Sequence, residues 1–295
     1  MKTRTARTAA VSMTAMFAMV AAGQPQTASA CEECQLRKAG TYLGQFTLMG
    51  NGTVRTWVKL GQNGKPSAIG VTFSETALIG LPATAPKDML GVEHNLALPK
   101  EAAVTGFDHI GLDWNPKGHE PPGIYDSPHF DLHFHLTPKE ELKKITLQGA
   151  GLAKLRKKPQ AQFIPAGYIM PPGTEVPGMG AHAIDAAAPE LNGQPFTYTF
   201  LYGYHDGKVH FIEPMITKAF LETKPNLTIP LKQPAAYQKR GYYPTSYSIK
   251  HDPIRQEYTV ALEGLTLRAG QSQGTIVAAK PQTPKRQTVA VAAQR

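Results

Sequence analysis

The heptapeptide His129-Phe130-Asp131-Leu132-His133-Phe134-His135 constrains this chain more than any other stretch. Its polar and apolar residues alternate without a break, which is the period of a strand whose successive side chains point to opposite faces. One face then carries Phe130, Leu132 and Phe134, and the other carries three imidazoles and a carboxylate. Pro128 precedes the run and Pro138 follows it, at strand-end positions where a missing N–H is tolerated. The solvated face of an ordinary antiparallel strand would also be polar. However, five of the ten histidines lie between His109 and His135, a density that solvation alone does not require.

Neutral imidazole with a carboxylate is the donor combination that zinc and other first-row divalent ions accept. The candidates are His129, Asp131, His133 and His135 from this strand, His182 from the glycine-framed Gly178-Met179-Gly180-Ala181-His182, and Glu213. Glu213 enters through a hairpin, Phe196 to Tyr204 and Lys208 to Thr217, with its turn at Asp206-Gly207. Counting back evenly from that turn sets Glu213 opposite Phe200 and Phe211 opposite Tyr202. A carboxylate among aromatic rings must be neutralised, hydrogen-bonded or bound to a cation.

The ligand set expected from this reasoning is His129, His133, His182 and Glu213 around one divalent ion, zinc by preference, with Asp131 or His119 orienting them. Reach limits it: residues four apart on a strand are separated by ~13 Å. His129 and His133 can then share an ion only on a bulged or sharply twisted strand. Otherwise His133 with His135 or Asp131 must serve. On the loop Gly118-His119-Glu120-Pro121, Glu120 is a candidate general base and His119 an additional ligand, weighed against ordinary loop polarity. A catalytic centre would use a metal-activated water on an ester, an amide or a similar electrophile in a small-molecule substrate, with Asp131 or Glu120 taking the proton. A non-catalytic one would close its ligands around the ion for storage, sensing or stiffening.

The N-terminus has basic residues (Lys2, Arg4, Arg7), an apolar stretch from about Ala9 to Gly23, and then Ala28-Ser29-Ala30, the pattern of a secretory signal peptide. Residues 1–30 are therefore read as a leader, and the location as periplasmic or secreted. Cys31 and Cys34 are the only cysteines, suited to a local disulfide in an oxidising compartment, or to a lipid anchor at Cys31. A formal charge of +9 shrinks to +2 once the leader (+3) and the tail from Lys280 (+4) are set aside. No dense basic face remains for nucleic acid, and no later segment approaches the ~20 apolar residues of a membrane span. Neither a Gly-x-Ser-x-Gly elbow nor a phosphate loop or dinucleotide fingerprint occurs.

Short β-type runs at Thr41 to Met49, Thr53 to Leu60 and Ser67 to Ser74 are punctuated by Gly50-Asn51-Gly52 and by Gly61 to Pro66. Further strands are expected from Gly106 to Trp114, Thr245 to Lys250 and Gln256 to Arg268. Thr137-Pro138-Lys139-Glu140 fits a capping box, predicting a short helix from Pro138 to near Ile145. Another short helix is expected near Glu75 to Ile79. Lys154 to Lys158 reads as a solvated loop, and residues 164–180, with four prolines, as an irregular wrap. The expectation is a mainly β domain over residues 31–275, an antiparallel sandwich or barrel-like structure with one or two short helices, followed by a disordered basic tail at 276–295.

The motifs Asp113-Trp114-Asn115-Pro116, Gly118-His119-Glu120-Pro121, Tyr125-Asp126, Pro128 to Phe134, Pro177 to His182 and Phe211-Ile212-Glu213-Pro214-Met215 together resemble an uncharacterised family of exported bacterial proteins. The resemblance covers roughly residues 90–225. One thermophile member of that family is oligomeric and under stress-sigma-factor control. The resemblance implies an exported, homo-oligomeric, metal-binding protein and supplies no established reaction. His133-Phe134-His135 with Glu140 is also similar to the first cupin motif, which implies only β architecture, since the glycine framing is absent and the capping box claims Glu140.

Overall fold

In a computed structural model, residues 38–272 are described apart from Asp88 and Leu90. The leader, Cys31, Cys34 and the tail at 276–295 lie outside the described residues.

The chain builds most of one sheet, leaves it to build the whole of a second, and then returns. It opens with β1 (Gly40–Leu43), β2 (Thr47–Met49), β3 (Gly52–Leu60) and β4 (Pro66–Ser74). The second sheet takes β5 (Val92–Ala97), β6 (His109–Asn115), β7 (His129–His135), β8 (Tyr168–Ile169), β9 (Glu175–Val176), β10 (Gly180–Asp185), β11 (Tyr198–His205) and β12 (Lys208–Thr217). The return uses β13 (Asn226–Pro230), β14 (Gly241–Tyr243), β15 (Ser246–Asp252), β16 (Glu257–Glu263) and β17 (Thr266–Arg268). The first sheet runs β1-β3-β4-β16-β15-β13 with β2 beside β3, and the second runs β5-β6-β7-β12-β11-β10-β8 with β9 beside β10. β14 and β17 form a separate pair. The pairings between these strands are antiparallel, and neither large sheet closes into a barrel.

The two sheets pack face to face because each strand at their centres alternates. Val54, Val58, Ile69, Val71, Val260 and Leu262 of the first sheet share one core with Ile110, Leu112, Phe130, Leu132, Phe134 and Ile212 of the second. Aromatic contacts cross the gap, Phe73 to Phe130 with ring centroids 6.2 Å apart and Phe200 to Tyr247 at 4.9 Å. Each of these large apolar side chains contributes about 1.5–3 kcal/mol when fully buried. The expected antiparallel sandwich is therefore the architecture observed.

Local departures have local causes. The run expected from Thr41 to Met49 breaks at Gly44, where a Cβ would meet the Thr56 hydroxyl oxygen at 2.2 Å. The capping box does not form: α1 (Lys139–Leu142) has Pro138 at its N-cap, and the Thr137 hydroxyl is engaged instead with His210 Nδ1 at 2.8 Å. Lys154, expected in a loop, lies in α2 (Ala150–Arg156). A third helix, α3 (Lys218–Glu222), starts where the Thr217 hydroxyl accepts the Phe220 N–H. The segment expected near Glu75 is a single 3₁₀ turn, Glu75–Leu78.

Candidate metal centre

The face of the second sheet turned away from the sandwich core carries imidazole, carboxylate and amide side chains from β6, β7, β12 and β10. Across β6 and β7, His109 lies opposite His135, Asp113 opposite Asp131 and Asn115 opposite His129. Between β7 and β12, Phe211 is opposite His135 and Met215 opposite Asp131, so Glu213 falls beside His133. On the other side, Leu201 is opposite Glu213, Gly203 opposite Phe211, and His182 of β10 opposite Gly203. Loops close over this face, and His129, Asp131, His133, His135 and Glu213 are all buried.

A β-bulge puts Glu213 there. The hairpin turn is at Asp206-Gly207, both at positive φ, and His205 pairs with Lys208 as expected. The register then shifts between Gly203 and Tyr204, so that Tyr204 opposes Val209 while Gly203 opposes Phe211, leaving His210 as the extra residue. An even register would have set Glu213 with Phe200 and Tyr202 on the core face. The bulge instead turns Glu213 and Phe211 to the histidine face, since a one-residue slip exchanges the two faces of a strand. Gly203 then makes room for the Phe211 ring, to which an added Cβ would come within 2.1 Å.

Two groups of donors result. His133, His182 and Glu213 form one, and His119, His129 and Asp131 the other, the donor atoms within each lying inside 4.8 Å of one another. Either group could hold a metal ion. In the first, His133 Nε2 is 3.2 Å from Glu213 Oε1 and His182 Nε2 is 3.6 Å from Glu213 Oε2. In the second, His129 Nε2 and His119 Nε2 are each 3.1 Å from the two oxygens of Asp131, Oδ1 and Oδ2 respectively. Ligand atoms on a tetrahedral ion with bonds of ~2.0–2.1 Å stand about 3.3 Å from each other, so these spacings fit a ligand shell as well as hydrogen-bonded ion pairs.

The tautomers agree. The Nδ1 atoms of His119, His129 and His182 meet the carbonyl oxygens of Glu120 (2.7 Å), Ser127 (2.6 Å) and Thr174 (2.8 Å). A carbonyl only accepts, so Nδ1 carries the proton and each neutral imidazole offers its Nε2 lone pair. His133 Nδ1 is 3.2 Å from Asp113 Oδ2, the carboxylate version of the same device. Asp131 is oriented in turn by Asn115, whose Nδ2 donates to Oδ2 at 2.7 Å. Among the described residues, buried atoms without a hydrogen-bond partner concentrate here, including His129 Nε2, Asp131 Oδ1, His133 Nε2 and Glu213 Oε2.

The four residues expected around one ion fall in two donor groups, His129 in one and His133, His182 and Glu213 in the other. β7 keeps the same register with β12 at both of its ends and an unbroken ladder with β6, so no bulge draws His129 to His133. His129 sits with His119 and Asp131 instead. His119, expected as an additional ligand, stands at the mouth of its group with its side chain 19% exposed. Asp131 lies within a donor group, and Glu120 is exposed and reaches His119 only through its carbonyl oxygen. His135 stacks on His109 at 4.4 Å, outside both groups. The roles of Asp113 and Asn115 were missed. The alternation of His109, Gly111, Asp113 and Asn115 against Ile110, Leu112 and Trp114 was the available signal.

Charge settles on these groups in a definite way without an ion. Burial disfavours a charged His119, but the Asp131 carboxylate outweighs this and pushes its pKa up to about 9. Burial likewise opposes charging His133, and Glu213 and Asp113 outweigh it and push its pKa well up. His182 is pulled below the usual imidazole range by burial, which Glu213 offsets only in part. Asp131 is penalised by burial yet held well below the carboxylate range by His129 and His119. Each group thus has one imidazole poised to hold a proton where an ion would otherwise sit. A cleft of about 230 Å³ bordered by Met170, Pro171, Thr174 and Ala181 adjoins the backbone that anchors His182.

Residues 61–114 match the family model described as TTHB210-like, hypothetical protein TTHB210. That span runs from the β3–β4 turn into β6 and includes His109 and Asp113, but none of the six residues of the two donor groups. It supports similarity to an uncharacterised family and names no reaction. No curated protein and no solved structure matches the chain.

Proposed function

We propose that this is an exported divalent-metal protein whose buried histidine face hydrolyses a small-molecule ester, amide or similar electrophile. The ion is held by His133, His182 and Glu213, with zinc the best fit to two imidazoles and one carboxylate. The observation that carries the reading is that each imidazole of the face that approaches a carboxylate through Nε2 has its Nδ1 anchored to an acceptor.

A bound ion would supply a water acidified from far above neutral pH toward a pKa of ~7. His133 and His182 fix their nitrogens through Asp113 and Thr174, and Glu213 provides the negative charge that draws a cation into a buried site. Of the two acids first considered as proton acceptors, Glu120 is the solvent-exposed one, at the mouth beside His119, while Asp131 is committed to His119, His129 and Asn115. Two histidines and a carboxylate leave a fourth position for water or substrate, the arrangement of catalytic rather than structural zinc.

Elemental analysis of the purified protein, followed by a hydrolase substrate panel with and without chelator, tests this. Bound zinc-type metal lost on the double substitution His182→Ala with Glu213→Gln, and chelator-sensitive turnover of one substrate class, is the expected result. Deep burial of His133 and Glu213 favours a second reading, a non-catalytic metal-binding or stress-related oligomeric envelope protein. Retained metal with no turnover across the panel would favour that one.

A further inference from the structure

We propose that His119, His129 and Asp131 hold a second divalent ion of their own, so that each chain carries two. The proposal rests on the reading that His133, His182 and Glu213 hold the first.

The second group repeats the first in its chemistry although it is assembled from different parts of the chain. Both have a carboxylate between two imidazoles, one oxygen facing each Nε2: Glu213 between His133 and His182, Asp131 between His129 and His119. Both have their histidines held through Nδ1 by oxygen atoms, backbone carbonyls for His119, His129 and His182 and the Asp113 carboxyl for His133. His129 is 0% exposed and Asp131 4%, yet His129 Nε2 and Asp131 Oδ1 face each other at 3.1 Å without a hydrogen bond. Buried polar atoms left unpaired are destabilising, and a cation between them removes that cost.

Asn115 and His119 both approach Asp131 through Oδ2, the oxygen away from His129. Oδ1 and His129 Nε2 are what remains, and they converge. The remaining ligand, His119, comes from a loop held by the Gly118 turn, at positive φ, and by the His119 N–H donating to the Tyr125 carbonyl at 3.1 Å. This places one donor at the solvent side and two donors from β7 below it. Donors of nitrogen and carboxylate oxygen again select a zinc-type ion rather than calcium or magnesium.

The test is metal stoichiometry of the intact chain by native mass spectrometry and elemental analysis after loading with zinc alone. Two equivalents are expected in the wild type. His119→Ala, at a half-buried loop position, and Asp131→Asn, which keeps the shape facing Asn115, should each lose one equivalent and keep the other. His182→Ala with Glu213→Gln should lose the complementary one. A single wild-type equivalent lost only with the latter pair overturns this proposal and leaves the proposed function standing. A single equivalent lost only with His119→Ala and Asp131→Asn overturns the count of two per chain and the ligand set given above, and leaves only the site assigned here. Loss of both ions from either class of variant, with an unchanged β-sheet circular dichroism spectrum, overturns the assignment to separate ligand sets. Absence of bound zinc from the wild type overturns both.

Discussion

Two residues outside both donor groups, Asp113 and Gly203, set the geometry of this face. Asp113 fixes His133 from the far side of the ring. Outer partners of this kind alter metal affinity by 10–100-fold when removed, so Asp113→Asn should raise the zinc dissociation constant by roughly that factor while the fold survives. Chelator competition measures it, and an unchanged constant would mean that Asp113 does not orient the ring. Gly203 acts through space alone: any Cβ there meets the Phe211 ring, which is itself packed against His133 and His182 with centroids 5.0 and 5.2 Å away. Gly203→Ala is expected to lower the melting temperature and to weaken metal retention together, since displacing Phe211 displaces the imidazoles. A loss of stability with intact retention would separate the two.

At the level of elements, β7 is the wall between two environments. Leu132 faces the sandwich core and is 1% exposed, one residue from each of Asp131 and His133. Leu132→Ala should cost about 2–5 kcal/mol in denaturant unfolding, as buried large-to-small changes do, without changing metal stoichiometry under native conditions. This division was legible beforehand, because strict alternation from His129 to His135 fixes both faces of a strand wherever it lies in a sheet. The hairpin turn was legible for the same reason, Asp206-Gly207 being chemistry that few turns accept. What could not be read was the bulge at His210, which depends on how β11 and β12 pair over distance and reverses the face that an even count assigns to Glu213. The partition of the histidines into two groups was hidden likewise. It required knowing that β7 runs without a bulge and that the loop after β6 brings His119 back over His129, whose rings lie 4.7 Å apart.

The molecule as a whole should show its buried imidazoles in its acid stability. His210 is buried against His135 and Phe211, and burial pushes its pKa down to about 3 from an unfolded value near 6.5. The unfolded chain therefore takes up a proton that the folded one refuses. The contribution is fully present above pH 6.5 and is lost as pH falls from 6.5 toward 3, at up to ~1.4 kcal/mol per pH unit. His135 is shifted in the same direction by burial and neighbouring imidazoles. Thermal unfolding in chelator should steepen its decline below pH 6.5, and His210→Gln should flatten part of that slope; identical slopes would exclude His210 as a source. The placement of the donors also sets a kinetic expectation. His129, Asp131, His133 and Glu213 belong to neighbouring inner strands bonded on both sides, whereas His119 lies on a covering loop and His182, on β10, has its ring held by Thr174 of the loop before β9. Amide hydrogens of β7 and β12 should be among the slowest to exchange, and those of the covering loops much faster. Escape of a captured ion would then be timed by brief openings of these loops, so that its residence time responds to loop substitutions while the global unfolding rate does not.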